Sequence, residues 1–330
     1  MNKLLVLLLT NFPGIWAAAA EGGFLFSTFK DENTLMSEQI YLDISEDGRH
    51  WEALNGGSPV LVSDVGEKGV RDSFLLRSHD GQKVWLIGTD LCIARNGDWH
   101  RATHAGSRSI VVWESSDLVH WTPPRLAPVA PGDAGCAWAP EAIYDDETGD
   151  YLVYWASTTG RDNFSKLRIW AAHTKDFQSF GEPFIYDEKT NHVIDIDIAR
   201  DGDTYYRFVK DDLHKNVTME SSKKLTGPWQ PLPQFSSGQG KNSEGPICYR
   251  LPAAGERQPP EWCLLLDDLN ATGARCYAPY VSHDLSSGQF TPATDFHFPY
   301  PFRHGSVLPI TSAELERLKS AYPGPRNTGR

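Results

Sequence analysis

Short apolar runs of four to seven residues recur along the chain, rich in aromatic and β-branched side chains. Gly, Asp, Asn and Pro separate them, the pattern of strands divided by tight turns rather than of helices. The runs predict strands over 74–77, 84–88 and 109–113, then over 151–155 and 167–171. Further strands follow over 204–209 and 217–221, and over 262–266 and 277–281. Asp80-Gly81 and Asp201-Gly202 suit hairpin turns between the first two strands of a unit. A helical period is confined to 311–318, where Thr311 and Glu314 form a capping box and Leu315 and Leu318 share a face. Residues 323–330 read as a loose tail.

A repeated phrase organises these strands. Ser45-Glu46-Asp47-Gly48-Arg49-His50-Trp51 matches Ser115-Ser116-Asp117-Leu118-Val119-His120-Trp121. Weaker copies close on Phe180, Trp229 and Phe290, giving five units of roughly 50 to 70 residues. The fifth unit is split: its first strand is expected over 304–308 and the others over 24–29, 39–44 and after Trp51. The expected fold is therefore all-β, a five-bladed β-propeller closed by N- and C-terminal strands. Closure removes an open sheet edge. No linker divides residues 21–330, which read as one domain.

Each unit also carries a polar residue near the start of its first strand: Asp72, Glu141, Asp195, Glu244 and His304. First strands line the axis of a propeller, so these side chains are expected to face one funnel. Carboxylates crowded together repel, and their pKa values spread. Such a set suits general acid and base work, and two carboxylates across a glycosidic bond are the usual machinery of sugar hydrolysis. Trp138 stands where it could stack on a sugar face.

Composition narrows the partners. Residues 1–20 read as a secretory signal peptide, with basic Lys3, an apolar core from Leu4 to Leu9 and small residues Ala17 to Ala20. The core is far shorter than the roughly 20 residues of a membrane span. The net charge is −12, which argues against nucleic acid and anionic membranes as partners. The five cysteines, Cys92, Cys136, Cys248, Cys263 and Cys276, contain no CxxC pair and leave one over from any set of bridges. Cys248 and Cys263 fall in neighbouring predicted strands. Sequons at Asn163, Asn216 and Asn270 agree with a secretory route.

The ordered set Val70-Arg71-Asp72-Ser73-Phe74, Trp138-Ala139-Pro140-Glu141, Val193-Ile194-Asp195, Ser243-Glu244-Gly245-Pro246 and Arg303-His304-Gly305-Ser306-Val307 resembles glycoside hydrolase family 43. That resemblance covers nearly all of residues 21–330. It implies an inverting mechanism with Asp72 as general base, Asp195 as the acid that tunes and orients, and Glu244 as general acid with a raised pKa. Trp138, Glu141 and His304 then contribute to substrate binding. His304 matches an axial histidine that holds a water or a structural calcium ion in the central channel. No cofactor is required. The chain departs from the family pattern in having Ser73 and Ile196 where proline is usual. Asp197 shares a strand face with Asp195. The implied activity is that of a secreted, monomeric, exo-acting hydrolase of plant cell-wall polysaccharide releasing α-L-arabinofuranose. β-Xylosidase, endo-arabinanase and galactose-releasing activities are the alternatives within the family. A sugar-binding propeller without catalysis and an interaction scaffold are the alternatives outside it.

Overall fold

The computed structural model describes residues 22–235, 242–252, 261–269 and 277–322. They build five four-stranded antiparallel sheets around one axis. The first sheet joins the chain ends, in the order β20 (Arg303–Ile310), β1 (Gly23–Phe29), β2 (Tyr41–Ser45) and β3 (Glu52–Ala53). The second holds β4 (Val70–Arg77), β5 (Val84–Asp90), β6 (Ser109–Ser115) and β7 (Arg125–Pro128). The third holds β8 (Trp138–Asp145), β9 (Asp150–Ser157), β10 (Arg168–Thr174) and β11 (Phe184–Asp187). The fourth holds β12 (Val193–Asp201), β13 (Thr204–Asp211), β14 (Asn216–Ser222) and β15 (Gln230–Pro231). The fifth holds β16 (Ser243–Leu251), β17 (Glu261–Asp268), β18 (Tyr277–Ser282) and β19 (Thr291–Pro292). The inner strands β4, β8, β12, β16 and β20 neighbour one another around the axis. This is the propeller the repeats predict, with 24–29 and 304–308 in one blade.

The repeated phrase is the turn between the third and fourth strands of every blade. Its first hydroxyl accepts a backbone N–H: Ser45 from Gly48 at 2.8 Å, Ser115 from Leu118 at 2.8 Å and Thr174 from Phe177 at 3.0 Å. Ser222 and Ser282 accept in the same way from Lys224 and Asp284. The hydroxyl replaces a ladder bond where the chain reverses. The outer strands it leads into are short, and β7, β15 and β19 end in Pro128, Pro231 and Pro292. A proline cannot donate to a further strand, so these edges stay closed to strand addition.

The apolar cores lie between blades. Leu25, Leu42, Leu75, Trp113, Leu308 and Leu318 share one buried cluster that packs the split blade on the second. Phe26 meets Trp51 at 4.9 Å, Phe302 at 5.0 Å and Tyr277 of the fifth blade at 6.1 Å. Strand β1 lies so close to β20 that a Cβ on Gly305 would stand 1.8 Å from the Ser27 carbonyl oxygen. Helix α2 (Ser312–Ala321) carries the capping box, Thr311 accepting from the Glu314 N–H, and buries Leu315 and Leu318. A second helix, α1 (Trp99–His104), interrupts the β5–β6 connection where no helix is expected from the sequence. At six residues it is too short to show a period, but Asp98 caps it by accepting from the Arg101 N–H at 2.9 Å.

Cys92, Cys136, Cys248 and Cys263 are free thiols. Cys248 and Cys263 do lie on adjacent strands, but Cys248 pairs with Leu264 and Tyr249 with Cys263. That offset of one residue sends the two side chains to opposite faces of the sheet. Cys276, the sequon at Asn270, the expected leader at 1–20 and the expected tail at 323–330 lie outside the described residues. No described helix is long and apolar enough to cross a membrane.

Phe26 ties the closing blade to its neighbour, so its truncation should cost roughly 3–5 kcal/mol. Removing the helix cap with Thr311→Ala should cost only about 0.5–2 kcal/mol. Equilibrium urea unfolding of both variants measures the difference. A Phe26→Ala loss no larger than that of Thr311→Ala would show that the ring closure is not held by this contact.

Candidate active site

Every inner strand breaks its ladder near its first residues. The register shifts between Arg71 and Phe74 in β4, between Trp138 and Glu141 in β8 and between Ile194 and Ile196 in β12. It shifts between Glu244 and Ile247 in β16, and β20 bulges at His304, whose neighbours pair with Thr28 and Phe29. Four of these bulges contain a left-handed residue: Asp72, Ala139, Asp195 and Gly245, with φ of 49°, 46°, 48° and 51°. A bulge re-aims the side chains beside it, and here it turns them toward the axis. A Cβ on Gly245 would stand 2.5 Å from the His304 ring, so the backbone approaches there because no side chain intervenes. The acids therefore lie within the strands rather than ahead of them. Asp72 and Asp195 occupy equivalent places. Glu244 comes one residue before the left-handed position and Glu141 two residues after it, in the same place as Asp197. The units align by bulge rather than by acid.

Asp72, Glu141, Asp195 and His304 line one cavity with Ser73, Ala139, Gly245 and Pro246. His304 is its hub. Nδ1 stands 3.1 Å from Asp72 Oδ1, and Nε2 stands 3.4 Å from Glu244 Oε1 and 3.3 Å from Asp267 Oδ2. Burial disfavours the imidazolium, but the charge of Asp195 and the contacts to Asp267, Asp72 and Glu244 outweigh it, and the ring is held protonated. Thr89 donates to Asp72 Oδ2 at 2.8 Å and accepts from the Ala139 N–H at 2.8 Å. Burial pushes the Asp72 carboxyl up; His304, Arg71 and Thr89 more than reverse this and keep it ionised. Asp195 accepts from the Gly245 N–H at 3.1 Å. Its carboxyl is raised, chiefly by burial and further by Glu244 and Asp72, against His304 and Lys210.

Glu244 differs from the expectation of a raised pKa. Burial does push it upward, but His304, Lys210 and Arg303 overcome this and hold it well below the carboxylate range. Lys210 and Arg303 both donate to its carboxylate. Lys210 also reaches Asp212 at 3.0 Å, and Arg303 reaches Asp267 at 3.0 Å and Glu32 at 2.7 Å. Two buried cations against one carboxylate stabilise its charged form more than burial penalises it.

Glu141, in the wall of the same cavity, forms a second pair with Asp197. Glu141 and Asp197 hydrogen-bond to each other, and both are pushed up by burial, Asp197 to about 7 and Glu141 well above its usual value. The Cys248 N–H donates to Asp197 at 2.8 Å and the Tyr154 hydroxyl to Glu141 at 3.3 Å. Like charges this close cannot both ionise cheaply, so the pair shares a proton.

Known proteins carry the same arrangement of strands. A family described as a probable glycosyl hydrolase domain, related to glycoside hydrolase family 43, matches residues 20–316. The chain belongs to this family. An α-L-arabinofuranosidase of Bifidobacterium longum subsp. longum is 31% identical over 257 residues, covering 68% of this chain. The chain spans about a quarter of that relative's length, the match covering 24% of it. A family 43 β-1,3-galactosidase solved with galactodeoxynojirimycin superposes with a TM-score of 0.57 at 13% identity, covering 86% of this chain and 94% of its own. The Cellvibrio cellulosa α-L-arabinanase complexed with arabinohexaose gives 0.54 at 13% identity, covering 82% and 91%. At such identities the two structures share the fold.

In this family 43-related chain the residue usually proline after the first acid is Ser73, whose hydroxyl donates to Ser27 at 3.0 Å. Ser306 in turn accepts from the Leu75 N–H at 2.7 Å, so hydroxyls link β4 to the closing blade. Asp195, Glu244 and His304 offer ligand atoms within 4.8 Å of one another, the arrangement a channel cation would need. The donor set does not fit a calcium ion, which takes six to eight oxygens. His304 is a cation here, and Lys210 and Arg303 already hold the Glu244 oxygens.

Sequence reasoning missed the cations and the rim. Arg71 and Arg303 flank Asp72 and His304 in the chain, and that adjacency was the available signal; nothing local marks Lys210 or Asp267. Trp138 lies beside the cavity rather than in its wall, its ring 6.2 Å from Trp99 on α1 and perpendicular to it at 85°.

The shared proton has a consequence for stability. Glu141 and Asp197 bind protons more tightly folded than unfolded, so they penalise folding increasingly as pH rises from about 4 through about 7. Asp197→Asn should remove the part of this dependence that Asp197 carries and leave the part set by the burial of Glu141. Urea unfolding across that range should show the variant gaining on the parent as pH rises; parallel profiles would contradict a shared proton.

Proposed function

We propose that the chain is a secreted glycoside hydrolase that cleaves arabinose-containing plant polysaccharide by inversion, releasing α-L-arabinofuranose from chain ends. The observation that carries this reading is the convergence of Asp72, Asp195 and Glu244 on His304, with Asp72 held ionised. An ionised, hydrogen-bonded carboxylate is what activating a water requires. His304 stands between Asp72 and Glu244, touching each through a different ring nitrogen. A ring's width plus two polar contacts suits the roughly 6.5–9.5 Å that inverting hydrolysis needs, rather than the roughly 5 Å of retention. The α-L-arabinofuranosidase relative supports the sugar. The leader-like residues 1–20 support secretion.

Glu244 is the general acid in this reading, and His304, Lys210 and Arg303 hold it as a carboxylate. Substrate supplies the missing bias: a sugar over the funnel displaces water, and further desolvation favours the protonated acid. The alkaline limb of kcat, which reports the complex, should lie at higher pH than that of kcat/KM, which reports the free protein. The clamp on Glu244 also gives the sugar-binding propeller without catalysis its one support. That alternative predicts sugar binding undiminished by Glu244→Gln and no turnover by the parent.

Aryl arabinofuranoside, xyloside and galactofuranoside assayed side by side test the activity and its sugar. Glu244→Gln should lose roughly 10²–10⁴-fold on an arabino-oligosaccharide and much less on the aryl glycoside, whose leaving group needs little protonation. Asp72→Asn should impair both substrates alike, because each needs an activated water. Equal ratios of loss for the two variants would refute this division of roles, and a product shown by NMR to keep its anomeric configuration would refute inversion.

A further inference from the structure

We propose that the exposed face of Trp99, presented by helix α1, is a second sugar-ring subsite of the funnel, taking the neutral ring next to the one over the carboxylates. The inference rests on the hydrolase reading above and concerns residues outside the acid cluster. Trp99 is 46% exposed, whereas Trp51, Trp113 and Trp155 are buried. An indole left this open on a loop would be unremarkable, but its backbone is fixed from behind. Arg101 donates to both oxygens of Glu67, at 2.7 and 2.9 Å. Ala102 is wholly buried beside Leu91, Ile93 and Trp138. The Thr158 hydroxyl donates to the Thr103 carbonyl, and the Gly106 N–H donates to the Gly135 carbonyl at 2.8 Å. The short helix is thus fastened to two neighbouring blades while its first side chain stays open. Ordering costs are met before any ligand arrives, which is what pre-organised recognition needs.

The position of the ring ties it to the site. Trp138, against which it stands, precedes Ala139 in the cavity wall. The Arg71 guanidinium lies 5.4 Å from the Trp99 ring and 4.6 Å from Phe29, and its chain neighbour is Asp72. Glu32 and Glu38 hold that guanidinium at 3.0 and 3.1 Å. A cation on one aromatic face leaves the other for the C–H face of a sugar, and apolar aromatic walls with a few fixed polar groups are the usual lining of ligand sites. The acidic net charge and the carboxylates beside the wall favour a neutral ring over a uronic acid.

The test measures binding with the full chain carrying Asp72→Asn, which prevents turnover. L-arabinose and α-1,5-arabinotriose are titrated by calorimetry, with xylose and xylotriose alongside. A trisaccharide should bind more tightly than its monosaccharide, and Trp99→Ala should shrink that advantage by about tenfold, the scale of one aromatic contact. Trp99→Phe should restore most of it. An advantage unchanged in Trp99→Ala would overturn the subsite while leaving the hydrolase reading intact. Absence of any sugar binding by the parent would overturn both. Should Trp99→Ala not fold, indole emission decides: arabinotriose must change it in the parent and change it less in Trp99→Phe, and equal changes would overturn the proposal.

Discussion

The axis of this propeller depends on one electrostatic balance. Asp72, Asp195, Glu244 and Asp267 are brought together out of water, and His304, Lys210 and Arg303 stand among them. Burying these carboxylates without the cations would cost several kcal/mol each. With them, each acid settles at a different acidity. Asp72, Glu244 and Asp267 are held ionised, and Asp195, which receives a backbone N–H but, among the described residues, no cation in direct contact, is raised. The spread that acid–base chemistry needs thus comes from how the cations are shared out. Removing one partner would leave a buried charge uncompensated, so the network holds the inner strands together as well as setting their chemistry.

The backbone prepares this arrangement. Left-handed geometry at a non-glycine residue is unfavourable for an L-amino acid, and aspartate is among the residues that tolerate it. Strands β4 and β12 spend that tolerance at Asp72 and Asp195, while β16 uses Gly245 and places its acid one residue earlier. The same distortion that costs local stability aims the side chains at the axis. The surrounding ladders are regular and fix the bulges in place, as expected where a fold supports a strained site.

Two connections between the second and third strands of a blade brace this centre. The β5–β6 connection carries α1, and the β1–β2 connection carries Glu32 and Glu38, which hold Arg71 and, through Glu32, Arg303. Glu32 and Glu38 thereby act on the acids through the two arginines. A shared core with differing rims lets one fold serve different sugars.

The chain by itself determined the architecture, because its signals are local and repeated. Short apolar runs set the strands, a turn phrase opening on a hydroxyl residue marked each blade, and the incomplete fifth unit required the two ends to meet. Those signals also pointed to Asp72, Asp195, Glu244 and His304, each sitting at the start of a unit. What the chain did not show is which partners these residues meet. Lys210 and Asp267 lie on second strands and look like ordinary strand-end charges. Only the closed ring sets them against Glu244 and His304, and so turns Glu244 from the expected protonated acid into a clamped carboxylate. The bulges were equally hidden: a one-residue register shift leaves no compositional trace, yet it sets Glu141 and Asp197 two residues beyond the left-handed position that Asp72 and Asp195 occupy. A cysteine offset, a six-residue helix and the exposed face of Trp99 were likewise settled by pairing and packing across blades, over distances in the chain that no local pattern spans.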